Sequence, residues 1–267
     1  MSFEAKDVSQ KNFWDSTKQS SWVKIPYPWK PNYLDLFFFT FHIIVLKIKI
    51  KKPTVLLVGC TKELRTILNL FHVKYDLIDF SHTMKEITAP KNDFFLNDYI
   101  QSEWTTSLQK KYNYYSLIVG DLVLNLLSEK DTERVVNNCK NYLTTKGKLV
   151  LRTRVLTKET ADKLLVKFTR QIKTLNKKTF YFCFANYQTL YKIREDEACK
   201  IVFAENKRNT FLENFILYFI NSPLQYFIFD QKKIESFFDD EWEVAWYSTQ
   251  LYKKTFDDYF FIVAKKL

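Results

Sequence analysis

Asp79 follows Gly59 by twenty residues, and each closes a short apolar run: Thr54-Val-Leu-Leu-Val-Gly59 and Val73-Lys-Tyr-Asp-Leu-Ile-Asp79. That spacing puts a carboxylate at the end of a second strand. There it can accept hydrogen bonds from ribose hydroxyls while the glycine turn admits the rest of a nucleotide-like ligand. The turn itself reads Gly59-Cys60-Thr61-Lys62-Glu63-Leu64, not G-x-G-x-x-G. Without the second and third glycines a pyrophosphate has no close approach to the helix start. NAD and FAD are therefore disfavoured, and a nucleoside without a phosphate bridge fits better. Two more acids stand at comparable places: Asp98, after the short run Phe94–Leu96, and Asp121, directly after Gly120.

Such residues meet only if the chain brings several strand ends together. Three glycines serve the whole sequence, Gly59, Gly120 and Gly147, so each is expected where the backbone turns tightly or something approaches closely. Each also borders an apolar run that reads as a buried strand. Between these runs the period changes. Leu64, Ile67, Leu68 and Phe71 recur at helical spacing, as do Val135, Val136, Cys139 and Leu143, and Ser102 to Tyr112 reads as a further helix. Strands alternating with helices predict an α/β, Rossmann-like doubly wound sheet. Its ligand lies beyond the carboxyl ends of the strands, where Gly59-Cys60-Thr61, Asp79, Asp98 and Gly120-Asp121 are expected to assemble one site.

Composition narrows the class. Apolar residues make up 46% of the 267 positions, enough for a sizeable core, which excludes disordered and collagen-like chains. The cysteines, Cys60, Cys139, Cys183 and Cys199, are scattered without paired spacing and read as reduced thiols of a cytoplasmic protein. With no CxxC, no HExxH and three histidines, no metal is expected. Leu36 to Leu46 is the most apolar run but too short to span a bilayer; it reads as a buried helix, opened by Asn32 as the cap before Tyr33. The net charge of +11 invites an anionic partner, although a bias toward Lys, Asn, Phe, Tyr and Ile runs through the whole chain.

The stretch 54–154 resembles the core of the class I S-adenosylmethionine-dependent methyltransferases, with five motifs in the family's order. The segment from Val55 to Arg65, Val-Leu-Leu-Val-Gly-Cys-Thr-Lys-Glu-Leu-Arg, is similar to the first motif, with Thr61 and the following Glu63-Leu64 in place of later glycines. Asp79-Phe80-Ser81-His82-Thr83-Met84 is similar to the acidic segment after the second strand. Asn97-Asp98-Tyr99 matches the acid that reaches the adenine amino group, and Tyr115 to Leu127 resembles the fourth motif. Leu143 to Arg152 matches the lead into the fifth strand, with Thr145 and Lys146 in place of Pro and the first Gly. Two β-rich runs, Trp242 to Tyr252 and Asp258 to Ala264, read as the antiparallel hairpin that closes the family's seven-stranded sheet.

The resemblance implies S-adenosylmethionine as cofactor, held by Gly59, Cys60, Thr61, Asp79, Phe80, Met84, Asp98, Tyr99, Gly120 and Asp121. Asp121 stands where a polar group would orient the methyl acceptor, or where it would simply cap the next turn. Arg152 and Arg154 alternate onto one face of a strand, to meet a carboxylate of cofactor or substrate or to pair with structural acids. Cys60 reads as a small loop residue rather than a nucleophile.

Three pieces follow: an N-terminal helical or strap segment (1–53), the core (54–154 and 240–267), and a helical insertion or lid (155–239). The N-terminal segment includes Trp22 to Pro31, aromatic and proline-rich, expected to fold over the cofactor or to serve as a hydrophobic strap. In the insertion, Lys158 to Lys178 is amphipathic with a basic stripe, and Tyr181, Phe184 and Tyr187 recur at helical spacing, to line an acceptor pocket or a core. The expected function is methyl transfer to an oxygen or nitrogen of a small-molecule acceptor. Alternatives are an RNA or protein methyltransferase using the basic stripe, or a catalytically silent binding module.

Overall fold

In the computed structural model, which describes residue 15 and residues 30–156, 229–248 and 259–267, the run after Pro53 forms the central strand β1 (Val55–Val58), buried on both faces. Fully apolar strands of this kind belong inside parallel sheets covered by helices on each side. The remaining strands are β2 (Tyr75–Asp79), β3 (Leu96–Gln101), β4 (Tyr115–Asp121), β5 (Leu143–Leu156), the two-residue β6 (Phe229–Asp230), β7 (Trp242–Ser248) and β8 (Tyr259–Lys266). Seven of them run in the order β3-β2-β1-β4-β5-β8-β7, while β6 pairs beside the far end of β5. β1 to β5 are parallel, and β8 is antiparallel to both β5 and β7. The seven-stranded sheet with its C-terminal hairpin is as the sequence predicts.

Alternation along the strands sorts the core into two layers. Val55, Leu57, Leu77, Leu117 and Val119 pack against helix α1 (Tyr33–Lys49), α2 (Lys62–Leu70) and α3 (His82–Ile87). Leu56, Val58, Ile78 and Ile118 pack against α4 (Glu129–Tyr142) and, through the neighbouring strands, α5 (Gln231–Glu235). Chain order reverses between β1 and β4, so the crevice of this doubly wound sheet opens beyond the tips of those two strands.

Gly120, at one of those tips, leaves no room for a side chain. A Cβ there would stand 2.6 Å from Val123 Cγ2, 3.0 Å from Leu151 Cδ2 and 3.3 Å from the Val58 carbonyl oxygen. Gly120→Ala is expected to cost about 1–3 kcal/mol through overpacking, read as a lowered melting temperature.

Two elements differ from expectation. The helix predicted over Ser102–Tyr112 is reduced to one 3-10 turn, Gln109–Lys111; Ser102, Thr105, Thr106 and Ser107 compete with helical hydrogen bonding in its first half. Helix α1 starts where predicted, at the Asn32 cap. The Asn32 side chain accepts from the Leu34 and Asp35 amides, while Asp35 Oδ2 accepts from the Asn32 amide at 3.0 Å. This helix is buried on one face only, through Asp35, Phe39, His42 and Ile43. The helices expected over Lys158–Lys178 and Leu212–Ile220, together with Tyr181, Phe184 and Tyr187, lie outside the described residues, as does the run Trp22 to Trp29.

Candidate functional site

The turn after β1 is built on Gly59, whose φ of +83° is a backbone state that side chains disfavour. The Thr61 amide donates to the Gly59 carbonyl at 2.9 Å, which sharpens the turn into α2. Asp79, at the tip of β2, ties two turns together: its Oδ2 accepts from the Cys60 amide and its Oδ1 from the Ser81 amide, both at 2.9 Å. This carboxylate has a third donor in the Cys60 thiol, and with about four acceptor sites when ionised it can exchange so weak a donor for ligand hydroxyls. Burial pushes its pKa up to about 6, against the two backbone hydrogen bonds that favour the charge. Burial and the adjacent Asp79 carboxylate also raise the Cys60 thiol well above its ordinary range; it is no nucleophile at neutral pH. Ser81 accepts from the Met84 amide as the cap of α3 and donates to Asp15 Oδ1 at 2.6 Å. A second carboxylate therefore approaches this end of the sheet.

Trp104 closes the crevice. Its ring lies 3.3 Å from where a Cβ on Gly59 would stand and 6.4 Å, centroid to centroid, from the ring of Phe80. Trp104 is 9% exposed, and its indole Nε1 is buried with no hydrogen-bond partner among the described residues. Asn138 of α4 holds the backbone of this loop by donating to the Trp104 and Thr105 carbonyls. In the first turn of α2, Glu63 Oε2 is likewise buried and has no hydrogen-bond partner among the described residues. Tyr99 donates its hydroxyl to the Asp79 carbonyl at 3.2 Å, and burial followed by the Asp79 charge raises its pKa.

Asp121 and Arg152 pair with each other, which for Arg152 is the second of its two expected roles, a pairing with structural acids. Arg152 Nε donates to Asp121 Oδ1 at 2.5 Å and Nη2 to Oδ2 at 3.2 Å, a bidentate pair across neighbouring strands. Its Nη1 reaches Asp35 Oδ2 at 3.1 Å, from the first turn of α1. All three side chains are nearly inaccessible. Burial raises the pKa of both acids, and the arginine charge opposes the rise. Thus Asp121 and Asp35 together join β4, β5 and α1 through one guanidinium. Arg154 is buried as well, and its backbone is clamped from both sides by Asn125, which accepts from its amide at 2.9 Å and donates to its carbonyl at 3.1 Å.

Asp98 sits one step back from the strand tips. It lies inside β3, in register with Asp76 rather than Asp79, and its side chain is half exposed beside Lys111. The strand continues to Gln101, so its tip is Ser102-Glu103-Trp104. Met84 packs in the core layer between sheet and helices, with Leu64 and Leu77. The structure therefore gathers Gly59, Cys60, Thr61, Asp79, Phe80, Tyr99 and Gly120 about the strand tips. Sequence reasoning missed Trp104, Glu63 and Asp35. Only Asp35 had a local signal, the Asn-x-x-Asp spacing of a capping box.

No protein-family profile and no curated protein matches the chain. Solved structures do. A Rhodobacter sphaeroides protein named as a candidate Zn-dependent alcohol dehydrogenase aligns at a TM-score of 0.64 and 11% identity, over 97% of this chain and 99% of its own. Magnesium protoporphyrin IX methyltransferase from Synechocystis PCC 6803, solved with bound SAH, aligns at 0.57 and 11% identity, over 98% and 99%. Geranyl diphosphate C-methyltransferase from Streptomyces coelicolor A3(2) aligns at 0.53 and 7% identity, over 98% of each chain. Identities this low establish shared architecture alone. Among the described residues no group of three or more His, Cys, Asp or Glu side chains is placed to hold a metal ion. The chain has the class I S-adenosylmethionine-dependent methyltransferase fold.

Proposed function

We propose that this fold serves here as an S-adenosylmethionine-dependent methyltransferase acting on an oxygen or nitrogen of a small-molecule acceptor. One observation carries the proposal: Asp79 is fixed at the β2 tip beside the Gly59 turn by the Cys60 and Ser81 amides, and a ribose there would take the place of the Cys60 thiol as its further donor. Glu63 Oε2, which has no hydrogen-bond partner among the described residues, suits the ammonium end of the same ligand. The names of the two methyltransferases above, which specify magnesium protoporphyrin IX and geranyl diphosphate, support a small acceptor. When bound, S-adenosylmethionine supplies a methyl group already attached to a cationic leaving group. The chain then has to hold donor and acceptor in line and keep water out, and a general base is optional for a nucleophilic acceptor. With Asp121 held by Arg152, no described residue is assigned as a base.

A nucleoside that approaches Gly59 must displace the Trp104 ring. The same closure, with the missing glycines of the first turn, favours a second reading: a silent module with the crevice permanently filled. Calorimetry with S-adenosylhomocysteine separates the two. Heat with the wild-type protein supports the methyltransferase, and no heat with either wild type or Trp104→Ala leaves the silent module. If the closed form outnumbers the open one by about ten to one, Trp104→Ala binds the ligand about tenfold more tightly. Weaker binding would instead show that the indole stacks on the base.

A further inference from the structure

The outer face of α1 is apolar from end to end. Tyr33, Phe37, Phe41, Ile44 and Ile48 recur at spacings of four, four, three and four, which is one stripe of a helix, and they are 92%, 70%, 53%, 37% and 78% exposed. A contiguous apolar strip of this kind on the outside of a fold marks a contact surface. Its charge setting is one-sided. Lys47 and Lys49 flank the stripe on opposite sides, and Lys51 and Lys52 continue beyond its end; all four are exposed. Lys47 donates to the Phe71 carbonyl, whereas Lys49, Lys51 and Lys52 have no hydrogen bond or ion pair among the described residues. Between Leu36 and Lys62 the sequence contains no acidic residue at all, and Asp35 is sealed beneath α1 by Arg152.

We infer that α1 lies flat on an anionic lipid surface, with its aromatic and aliphatic stripe in the acyl boundary and its terminal lysines among the headgroups. An apolar strip with basic residues along its edge is what an interfacial helix needs. The opposite face of this 17-residue helix is packed on the sheet, so it rests on the bilayer and does not cross it. Charge argues against the other occupants. A second copy meeting the stripe antiparallel would set its lysines against the Lys30–Tyr33 end, where Lys30 adds a like charge and Asp35 is buried against Arg152. The chain's own insertion is no better, since residues 151–210 carry 14 basic and 6 acidic side chains. The inference stands whether or not the crevice takes a nucleoside.

Sedimentation with phosphatidylcholine vesicles, with and without phosphatidylglycerol, tests it on the full chain. Wild-type protein is expected to pellet with the anionic vesicles at about 0.1 M salt, with weaker pelleting at about 1 M salt or on phosphatidylcholine alone. Phe37→Ser/Phe41→Ser and, separately, Lys49→Glu/Lys51→Glu should each reduce binding about tenfold or more, with unchanged melting temperatures. Three results would overturn the inference: no vesicle binding by the wild type, equal binding by the variants, or a wild-type dimer in ultracentrifugation that Phe37→Ser/Phe41→Ser dissociates. A large fall in melting temperature for the phenylalanine pair would overturn it as well, by showing that the stripe is covered by its own chain.

Discussion

Arg152→Ala is expected to lower the unfolding free energy by about 3–5 kcal/mol, the usual result of removing one partner from a buried ionic cluster. The side chain lies at the join of β4, β5 and α1, and its loss leaves the Asp35 and Asp121 carboxylates enclosed without their cation. A loss of that size is a large part of what holds a domain of this size folded. The origin can be checked by adding Asp35→Asn and Asp121→Asn to Arg152→Ala, which removes the stranded charges and should restore much of the stability. The pH response has a definite sign. Enclosed acids without a cation bind protons more tightly when folded than when unfolded, so stability falls as pH rises through the folded-state pKa values. Arg152→Ala should therefore regain stability as the pH is lowered toward the ordinary carboxylate range near 4. A melting temperature equal to that of the wild type at neutral pH would remove the cluster from any account of how this fold is held.

Asp79→Ala is expected to weaken S-adenosylhomocysteine binding by about a hundredfold, since two hydrogen bonds to a charged acceptor are each worth about 1.5–3 kcal/mol. The wild-type affinity should also depend on pH. Only the ionised carboxylate accepts both hydroxyls, and its pKa of about 6 leaves it largely protonated at pH 5. Affinity should rise with pH through about 6 and then level off, and this dependence should vanish in Asp79→Ala. Titration calorimetry across that window reads both effects. The same raised pKa means that the ionised acid costs stability at neutral pH. That cost is absent below the unfolded pKa and grows as pH climbs through the folded one. Binding that ignores both the substitution and the pH would remove Asp79 from the site.

The elements that could be read in advance are those with one dominant signal. β1, β2 and β4 are buried, mainly apolar runs that stop at a glycine or an acid, and α2 and α4 repeat their apolar residues at helical spacing. Gly59 and Asp79 were legible for that reason. β3 is an edge strand, Leu-Asn-Asp-Tyr-Ile-Gln, with no fully buried residue. Its polar interior hides where it stops, so the sequence pattern ends the strand near Asp98 and leaves Trp104 in an expected helix that does not form. The Arg152–Asp35 contact joins positions 117 residues apart, beyond any local pattern. On α1 both faces are apolar, and sequence alone cannot say which one the sheet covers.

Asp35 Oδ2 has two duties: it completes the hydrogen bonding at the start of α1 and it meets the guanidinium from β5. The first turn of the N-terminal helix is thereby fastened to the middle of the sheet. Its amides should be released to hydrogen exchange together with those of β4 and β5 and not by separate fraying. A chain trimmed at the apparent border near Pro53 would not be a smaller autonomous unit, because it would leave an arginine facing one acid where the intact protein provides two.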